Sequence, residues 1–115
     1  MRGADRATGG AAIGDQAPIG SPVQFEVGDA DAASAELRQL AAAWRAGSAL
    51  GFTCDGRGSH LFGRPGPDAE ALVDGLGTTD VGGMFCAGEI GPIGGRHFLH
   101  GFTASPLLLG AEPVG

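Results

Sequence analysis

The spacing of apolar residues predicts two helices. Over residues 32–46, small and apolar side chains recur every three or four positions, which is the period of one helical face. Asp29 or Asp31 can cap the start of this helix. A second helix is predicted over residues 67–76, where a proline and an aspartate stand at the start and Gly77 follows the end. The expected buried faces are Ala33, Leu37, Leu40, Ala41 and Trp44 in the first helix and Ala69, Leu72, Val73 and Leu76 in the second.

Four other stretches have the pattern of strands. Residues 21–27 alternate apolar and polar side chains, which is typical of a strand with one buried face. Residues 49–54 form a short apolar run, as in a central strand. Residues 81–87 form a third strand interrupted by two glycines, and residues 98–109 form a fourth with an imperfect alternation.

The order of these elements predicts a small mixed α/β sheet. Strand, helix, strand, helix, strand places the first three strands in parallel pairing through right-handed crossovers, and the short last connection favours an antiparallel hairpin. Ligands collect at the carboxyl ends of parallel strands, here residues 54–58 and 86–91. We expect a flexible lead-in over residues 1–20, one domain over residues 21–109 and a tail over residues 110–115.

Composition and charge argue against several classes of function. A formal charge of −6 with scattered arginines offers no basic surface to nucleic acid or an anionic membrane. No apolar run approaches the roughly 20 residues of a membrane-spanning helix, and no signal-peptide pattern is present, so we expect a cytoplasmic protein. The two cysteines are then expected to be free thiols, and they are too few for a zinc site of four thiolates.

The first candidate for chemistry is the turn Cys54-Asp55-Gly56-Arg57-Gly58. It follows a strand directly, so its glycines can bring backbone N–H groups close to a ligand while Arg57 offers a fork of donors. That arrangement suits a carboxylate or a phosphate. Its spacing matches neither a P-loop nor a dinucleotide-binding loop. A tight turn with a solvated arginine is the alternative interpretation.

The second candidate is the turn around Glu89. Gly88 and the segment Ile90-Gly91-Pro92 flank this glutamate, so its carboxylate could be held at a cleft to receive an amine or another hydrogen-bond donor. A solvated surface glutamate is the alternative. His100 is expected to be a hydrogen-bonded side chain of the core, and its spacing from His97 disfavours a shared metal ion.

Four motifs stand out when the chain is taken as a whole. They are Gly51-Phe52-Thr53-Cys54-Asp55-Gly56-Arg57-Gly58, Leu61-Phe62-Gly63, Phe85-Cys86-Ala87-Gly88-Glu89-Ile90-Gly91-Pro92 and Leu99-His100-Gly101-Phe102-Thr103. In this order and at these intervals they resemble the C-terminal domain of the FIST family, over most of residues 21–109. The resemblance implies an intracellular sensory module for small ligands such as amino acids, a kind of domain found in bacterial signalling proteins and eukaryotic F-box proteins. It places seven residues at or near the sensing site, namely Cys54, Gly56, Arg57, Gly58, Glu89, Gly91 and His100.

The resemblance also bears on partners. Family members usually carry a FIST N-terminal domain before this one, whereas residues 1–20 alone precede the first predicted strand here. The expected partners are a small-molecule ligand, a FIST N-terminal domain or another signalling protein, and a second copy of the chain.

The leading hypothesis is therefore a non-catalytic sensory domain that needs no cofactor. Arg57 and the loop amides would receive an α-carboxylate, and Glu89 would receive an α-amine. The alternative from another class is an interaction half-domain that docks a partner or a second copy. An enzyme that uses Cys54 or Cys86 with His100 as base ranks last, because inert packing is the ordinary role of a buried cysteine.

Overall fold

The structure is a computed structural model that describes residues 3–14, 16–24 and 27–115. Its α-helices are α1 (Ala30–Ala42), α2 (Ser59–Phe62) and α3 (Pro67–Leu76), and a 3-10 turn, η1, covers Asp55–Arg57. Its strands are β1 (Gly3–Asp5), β2 (Gly10–Ala12), β3 (Trp44–Arg45), β4 (Ser48–Cys54), β5 (Val81–Cys86), β6 (Glu89–Ile93), β7 (Arg96–His100), β8 (Ala104–Leu109) and β9 (Glu112–Pro113). The chain is thus of the mixed α/β class that the sequence predicts.

Helix α1 begins at a side-chain cap and ends early. Asp29 accepts a hydrogen bond of 2.7 Å from the backbone N–H of Ala32, which satisfies one free donor of the first turn and confirms one of the two predicted caps. The helix ends at Ala42 rather than near residue 46. The reason is tertiary, because the next residues form β3, which pairs antiparallel with β9.

Helix α3 occupies the predicted residues and packs closely on α1. Gly75 makes the approach possible, since a Cβ atom there would lie 2.5 Å from Cβ of Ala41 and 2.7 Å from the carbonyl oxygen of Arg38. Leu40, Trp44 and Ala69 are exposed, although the helical period predicts all three as buried. The buried core is formed by Leu37, Ala41, Ala49, Ala71, Leu72 and Leu76.

The central sheet has three strands in the order β5-β4-β8, and its topology corrects the prediction. Strand β4 pairs parallel with β5 and antiparallel with β8, so three parallel strands in a row do not occur among the described residues. Of the predicted first strand, Phe25 and Glu26 lie outside the described residues. Residues 21–24 and 27 belong to neither a helix nor a strand.

The predicted fourth strand is two strands with different partners. Residues 98–109 divide where Phe102 takes a positive φ of 59°, a conformation that interrupts a strand. Strand β7 pairs with β6 in a hairpin turned by Gly94 and Gly95, whose φ angles are 58° and 80°. Strand β8 instead joins β4. The expected hairpin between the third and fourth strands is therefore wrong.

The predicted lead-in contains a small hairpin. Strands β1 and β2 pair antiparallel, and both are exposed along their length. Asp5 supports the turn between them by accepting hydrogen bonds from the backbone N–H of Ala7 and the hydroxyl of Thr8.

One face of the central sheet is covered by helices and the other is not. A Cβ atom at Gly51 would meet Leu72 of α3 at 3.2 Å, so the alternate residues of β4 face away from the helices. That opposite side, the uncovered sheet face, presents four exposed apolar side chains, namely Leu50, Met84, Leu107 and Leu109. A strand with a parallel partner is normally covered on both sides.

Candidate functional site

The two candidate turns leave the sheet at the same edge. Strands β4 and β5 are parallel, and their register pairs Cys54 with Cys86, the last residue of each strand. The chain then enters η1 after the first strand, and it reaches Glu89 three residues after the end of the second. The strand ends therefore bring the two turns into one region of the molecule.

Arg57 is buried and already paired. Its side chain donates two hydrogen bonds to Asp68, from Nε to Oδ2 at 3.0 Å and from Nη2 to Oδ1 at 2.7 Å. Arg57 retains 8% of its accessible surface and Asp68 retains 7%. The sequence predicts that the guanidinium of Arg57 binds an anionic ligand. In the structure, the carboxylate of Asp68 occupies two of its donors and neutralises the charge of Arg57.

The part of the guanidinium of Arg57 that does not contact Asp68 makes weaker interactions. Its Nη1 donates to the backbone oxygen of Phe102 at 3.4 Å, a long hydrogen bond. The guanidinium carbon lies 5.6 Å from the centre of the Phe62 ring, within range of a cation–π contact. Nη1 is therefore the part of the guanidinium that a ligand could engage without displacing Asp68.

Glu89 opens β6 and is buried with 8% of its surface accessible. The hydroxyl of Thr103 donates a hydrogen bond to its Oε2. The other oxygen, Oε1, is buried and has no hydrogen-bond partner in the described part of the chain. An unsatisfied buried carboxylate oxygen is costly, so this atom is a strong acceptor for an incoming N–H or O–H group.

His100 is a supporting residue of the β6–β7 hairpin. It lies opposite Glu89 in the register, and its Nε2 lies 3.0 Å from the backbone oxygen of Gly91. A carbonyl oxygen only accepts, so this contact requires the proton on Nε2. The interaction ties the imidazole to its own hairpin.

The small residues of the first turn are held by their neighbours. Cys54 is buried, and its thiol donates to Oδ1 of Asp55 at 3.7 Å. Gly56 lies beneath an aromatic ring, since a Cβ atom there would be 2.7 Å from Cε1 of Phe102. Gly58 ends η1, with its N–H bonded to the backbone oxygen of Asp55. Gly56 is therefore required by close packing.

Two cavities adjoin Arg57. The larger, of about 250 Å³, lies between α3 and strands β4 and β5, and Gly58, Leu72 and Phe85 are among its lining residues. The smaller, of about 190 Å³, lies between α1 and the segment that leads into β8. It is lined by Ala33, Glu36, Leu37, Leu40, Arg57, Phe102, Thr103 and Ala104. Glu89 does not line this cavity itself, but its hydrogen-bond partner Thr103 does.

Three residues of this region are not among the predicted site residues. Asp68 stands at a helix start, where an acidic residue ordinarily serves the helix, yet it pairs with Arg57. Thr103 and Phe102 fall inside a predicted strand, and nothing in the local pattern links them to Glu89 or Arg57. All three are brought to the site by contacts between segments far apart in the sequence.

The described residues contain no cluster of three or more histidine, cysteine, aspartate or glutamate side chains that could hold a metal ion. None of their helices has the length and apolar character needed to cross a membrane.

Comparison with known sequences identifies the family. The sequence model of the FIST C domain matches residues 1–92, so the chain belongs to the FIST C domain family. This confirms the resemblance to the family; three of the four motifs lie within the matched residues, and the fourth, at residues 99–103, lies beyond them. The match begins within the predicted lead-in and ends inside β6.

Relatives of this chain occur in mycobacteria. An uncharacterized protein of Mycobacterium tuberculosis and another of Mycobacterium bovis are each 47% identical to it over 114 residues. The match covers 94% of this chain, and the chain spans 30% of the length of each relative. No solved structure matches the chain. The family indicates a sensory or signalling domain, and FIST C is not known as a catalytic family.

Proposed function

We propose that this chain is a non-catalytic sensory domain that binds a small α-amino acid beside Arg57 and Glu89. The observation that carries the proposal is the buried Oε1 of Glu89, which has no hydrogen-bond partner among the described residues. A ligand amine would satisfy this oxygen and neutralise the carboxylate, both of which favour binding.

The smaller cavity is the proposed ligand site. Its volume of about 190 Å³ suits a small molecule, and its wall contains both Arg57 and Thr103. A ligand carboxylate there would replace the backbone oxygen of Phe102 at Nη1 of Arg57, since that bond is long. A movement of the Thr103 side chain would open the way from the cavity to Glu89. The contact between Arg57 and a ligand carboxylate stays a prediction, and it would involve Nη1 alone, because Nε and Nη2 are bonded to Asp68.

Calorimetric titration with a panel of amino acids tests the proposal. We expect an α-amino acid to bind the wild type, and its N-acetylated form, which lacks the amine, not to bind. Glu89→Gln keeps the shape but removes the charge, so it should weaken binding at least about tenfold, as expected for a hydrogen bond to a charged group. Glu112→Gln, an exposed glutamate in β9, is the matched control and should leave binding unchanged.

Two results would contradict this function. The first is a folded sample that binds none of the amino acids. The second is an affinity that Glu89→Gln and Glu112→Gln leave equally intact, which would remove Glu89 from the site.

An interaction half-domain is the second candidate, and the uncovered sheet face favours it. Exposed apolar side chains on a sheet mark a surface that other polypeptide covers. The chain spans 30% of the length of its relatives. We therefore propose that the uncovered sheet face is covered either by polypeptide equivalent to the rest of such a relative or by a second copy of the chain.

The cytoplasmic location stays a prediction.

Light scattering at several concentrations tests self-association through this face. Leu107→Glu lies on the face and should shift an assembly towards monomer. Leu99→Glu, equally apolar but on the β6–β7 hairpin, should not. A wild type that is monomeric at every concentration would count against the second copy.

A further inference from the structure

Cys54 and Cys86 are paired in the register of two neighbouring strands. Each is the last residue of its strand, and the parallel register pairs them directly. Paired residues extend their side chains from the same face of a sheet, and neighbouring strands run about 4.8 Å apart. The Cα atoms of a disulfide lie roughly 4.4–6.8 Å apart, so this register is compatible with a bridge. Both cysteines are free thiols here.

The two thiols differ in exposure and are weakly held. Cys54 is buried and Cys86 is half-buried. The thiol of Cys54 donates to Asp55 over 3.7 Å, and that of Cys86 to the backbone oxygen of Met84 over 4.0 Å. A thiol is a weak donor, so little is lost when either side chain turns toward the other.

We propose that Cys54 and Cys86 are a reversible redox pair that small disulfides such as oxidised glutathione convert to an intramolecular bridge. The proposal is independent of ligand binding, because it rests on the strand register and on the exposure of the two thiols.

Because Cys86 is more exposed than Cys54, it is the thiol that reacts first with oxidised glutathione. Cys86, as thiolate, attacks one sulfur of oxidised glutathione; the Cys86–glutathione bond forms and one glutathione thiolate leaves. Cys54 then gives its proton to solvent and attacks the sulfur of Cys86. The Cys54–Cys86 bond forms, the Cys86–glutathione bond breaks, and the second glutathione leaves. Two protein thiols are oxidised by two electrons, and one glutathione disulfide is reduced to two thiols.

The bridge would act on the edge from which both candidate turns depart. A disulfide holds its two Cα atoms roughly 4.4–6.8 Å apart, a range that includes the spacing of neighbouring strands. The strand ends before η1 and before Glu89 would therefore be locked at one relative position. Cys86 is half-buried rather than buried, so a reducing thiol can reach the bridge, which suits a reversible device.

Mass spectrometry of the full chain after incubation with oxidised glutathione tests this pair. We expect the wild type to lose the mass of two hydrogen atoms, to yield one cross-linked peptide containing both cysteines, and to recover its mass with dithiothreitol. Cys54→Ser should accumulate one glutathione on Cys86, because nothing displaces it. Cys86→Ser should react at least about tenfold more slowly than Cys54→Ser, because its remaining thiol is buried.

Three outcomes would overturn the proposal. They are a lasting glutathione adduct on the wild type, a disulfide-linked dimer in place of the internal bridge, and folded wild type that does not react. Circular dichroism checks that each variant is folded, and the wild-type product decides the matter even where a variant does not fold.

Discussion

Arg57 and Asp68 form a buried bidentate ion pair that joins the first candidate turn to the start of α3. The two bonds measure 3.0 and 2.7 Å, and each residue is more than nine-tenths buried. Each charge therefore depends on the other for compensation. The pair anchors η1, from which Nη1 of Arg57 reaches the backbone of Phe102.

Removing one partner of this pair should be strongly destabilising. Asp68→Ala leaves the Arg57 charge buried and unpaired, so the free energy of unfolding in urea should fall by about 3 kcal/mol or more. Asp74→Ala is the matched control, because Asp74 pairs with Arg38 over 3.5 Å at the surface. Its loss should be under about 1 kcal/mol. Similar losses in the two variants would contradict the structural role of the buried pair.

Adjacent glycines in β5 should respond differently to alanine. A Cβ atom at Gly83 would lie 2.1 Å from the backbone oxygen of Gly51, which cannot move without disturbing the β4–β5 ladder. Gly83→Ala should therefore lower the free energy of unfolding by about 2 kcal/mol or more. At Gly82 the nearest atom would be Cδ2 of Leu50 at 3.5 Å, an ordinary contact. Gly82→Ala should stay within about 0.5 kcal/mol of wild type, and equal losses would refute the close approach.

The backbone at Phe102 should be strained. Its φ of 59° is unfavourable for a side chain of this size. Phe102→Ala and Phe102→Gly both remove the ring, but only glycine relieves the backbone. The glycine variant should therefore be the more stable of the two, by about 1 kcal/mol in urea unfolding. If alanine is as stable as glycine, φ at this position carries no strain.

Glu70 offers a prediction about pH. Arg64 donates two hydrogen bonds of 2.6 Å to its carboxylate, and these bonds lower the pKa of Glu70 from its ordinary value of 4.5. A carboxyl with a lowered pKa stabilises the fold above its unfolded pKa, and this contribution is lost as the pH falls through the folded pKa. In Arg64→Ala the pKa of Glu70 should rise toward 4.5. Nuclear magnetic resonance titration measures it, and an unchanged midpoint would exclude the effect of Arg64.

Local sequence patterns were sufficient to predict several elements of secondary structure. The Asp29 cap, the limits of α3 and the stretches that become β4 and β5 follow from nearest-neighbour spacing and from the residues that start and stop helices. The motifs shared with the FIST C domain also lie within short segments, which is why the family could be identified from the sequence.

The contacts of the candidate site could be predicted from local sequence patterns to a much smaller extent. The sequence singled out Arg57 and Glu89 but could not give their partners, because Asp68 and Thr103 are 11 and 14 residues away along the chain. Arg57 was expected to offer free donors to a ligand, whereas in the fold Nε and Nη2 donate to Asp68. Burial and hydrogen bonding of a side chain depend on which distant segment packs over it.

The sequence by itself therefore determined the α/β class, the two long helices, the apolar strand stretches and the family, since each rests on periodicity or on a short motif. Tertiary structure alone decided that β8 lies beside β4, that one sheet face is uncovered, and that Arg57 is neutralised by Asp68. Strand pairing depends on packing and loop closure between remote segments, and residue spacing within one segment does not encode these.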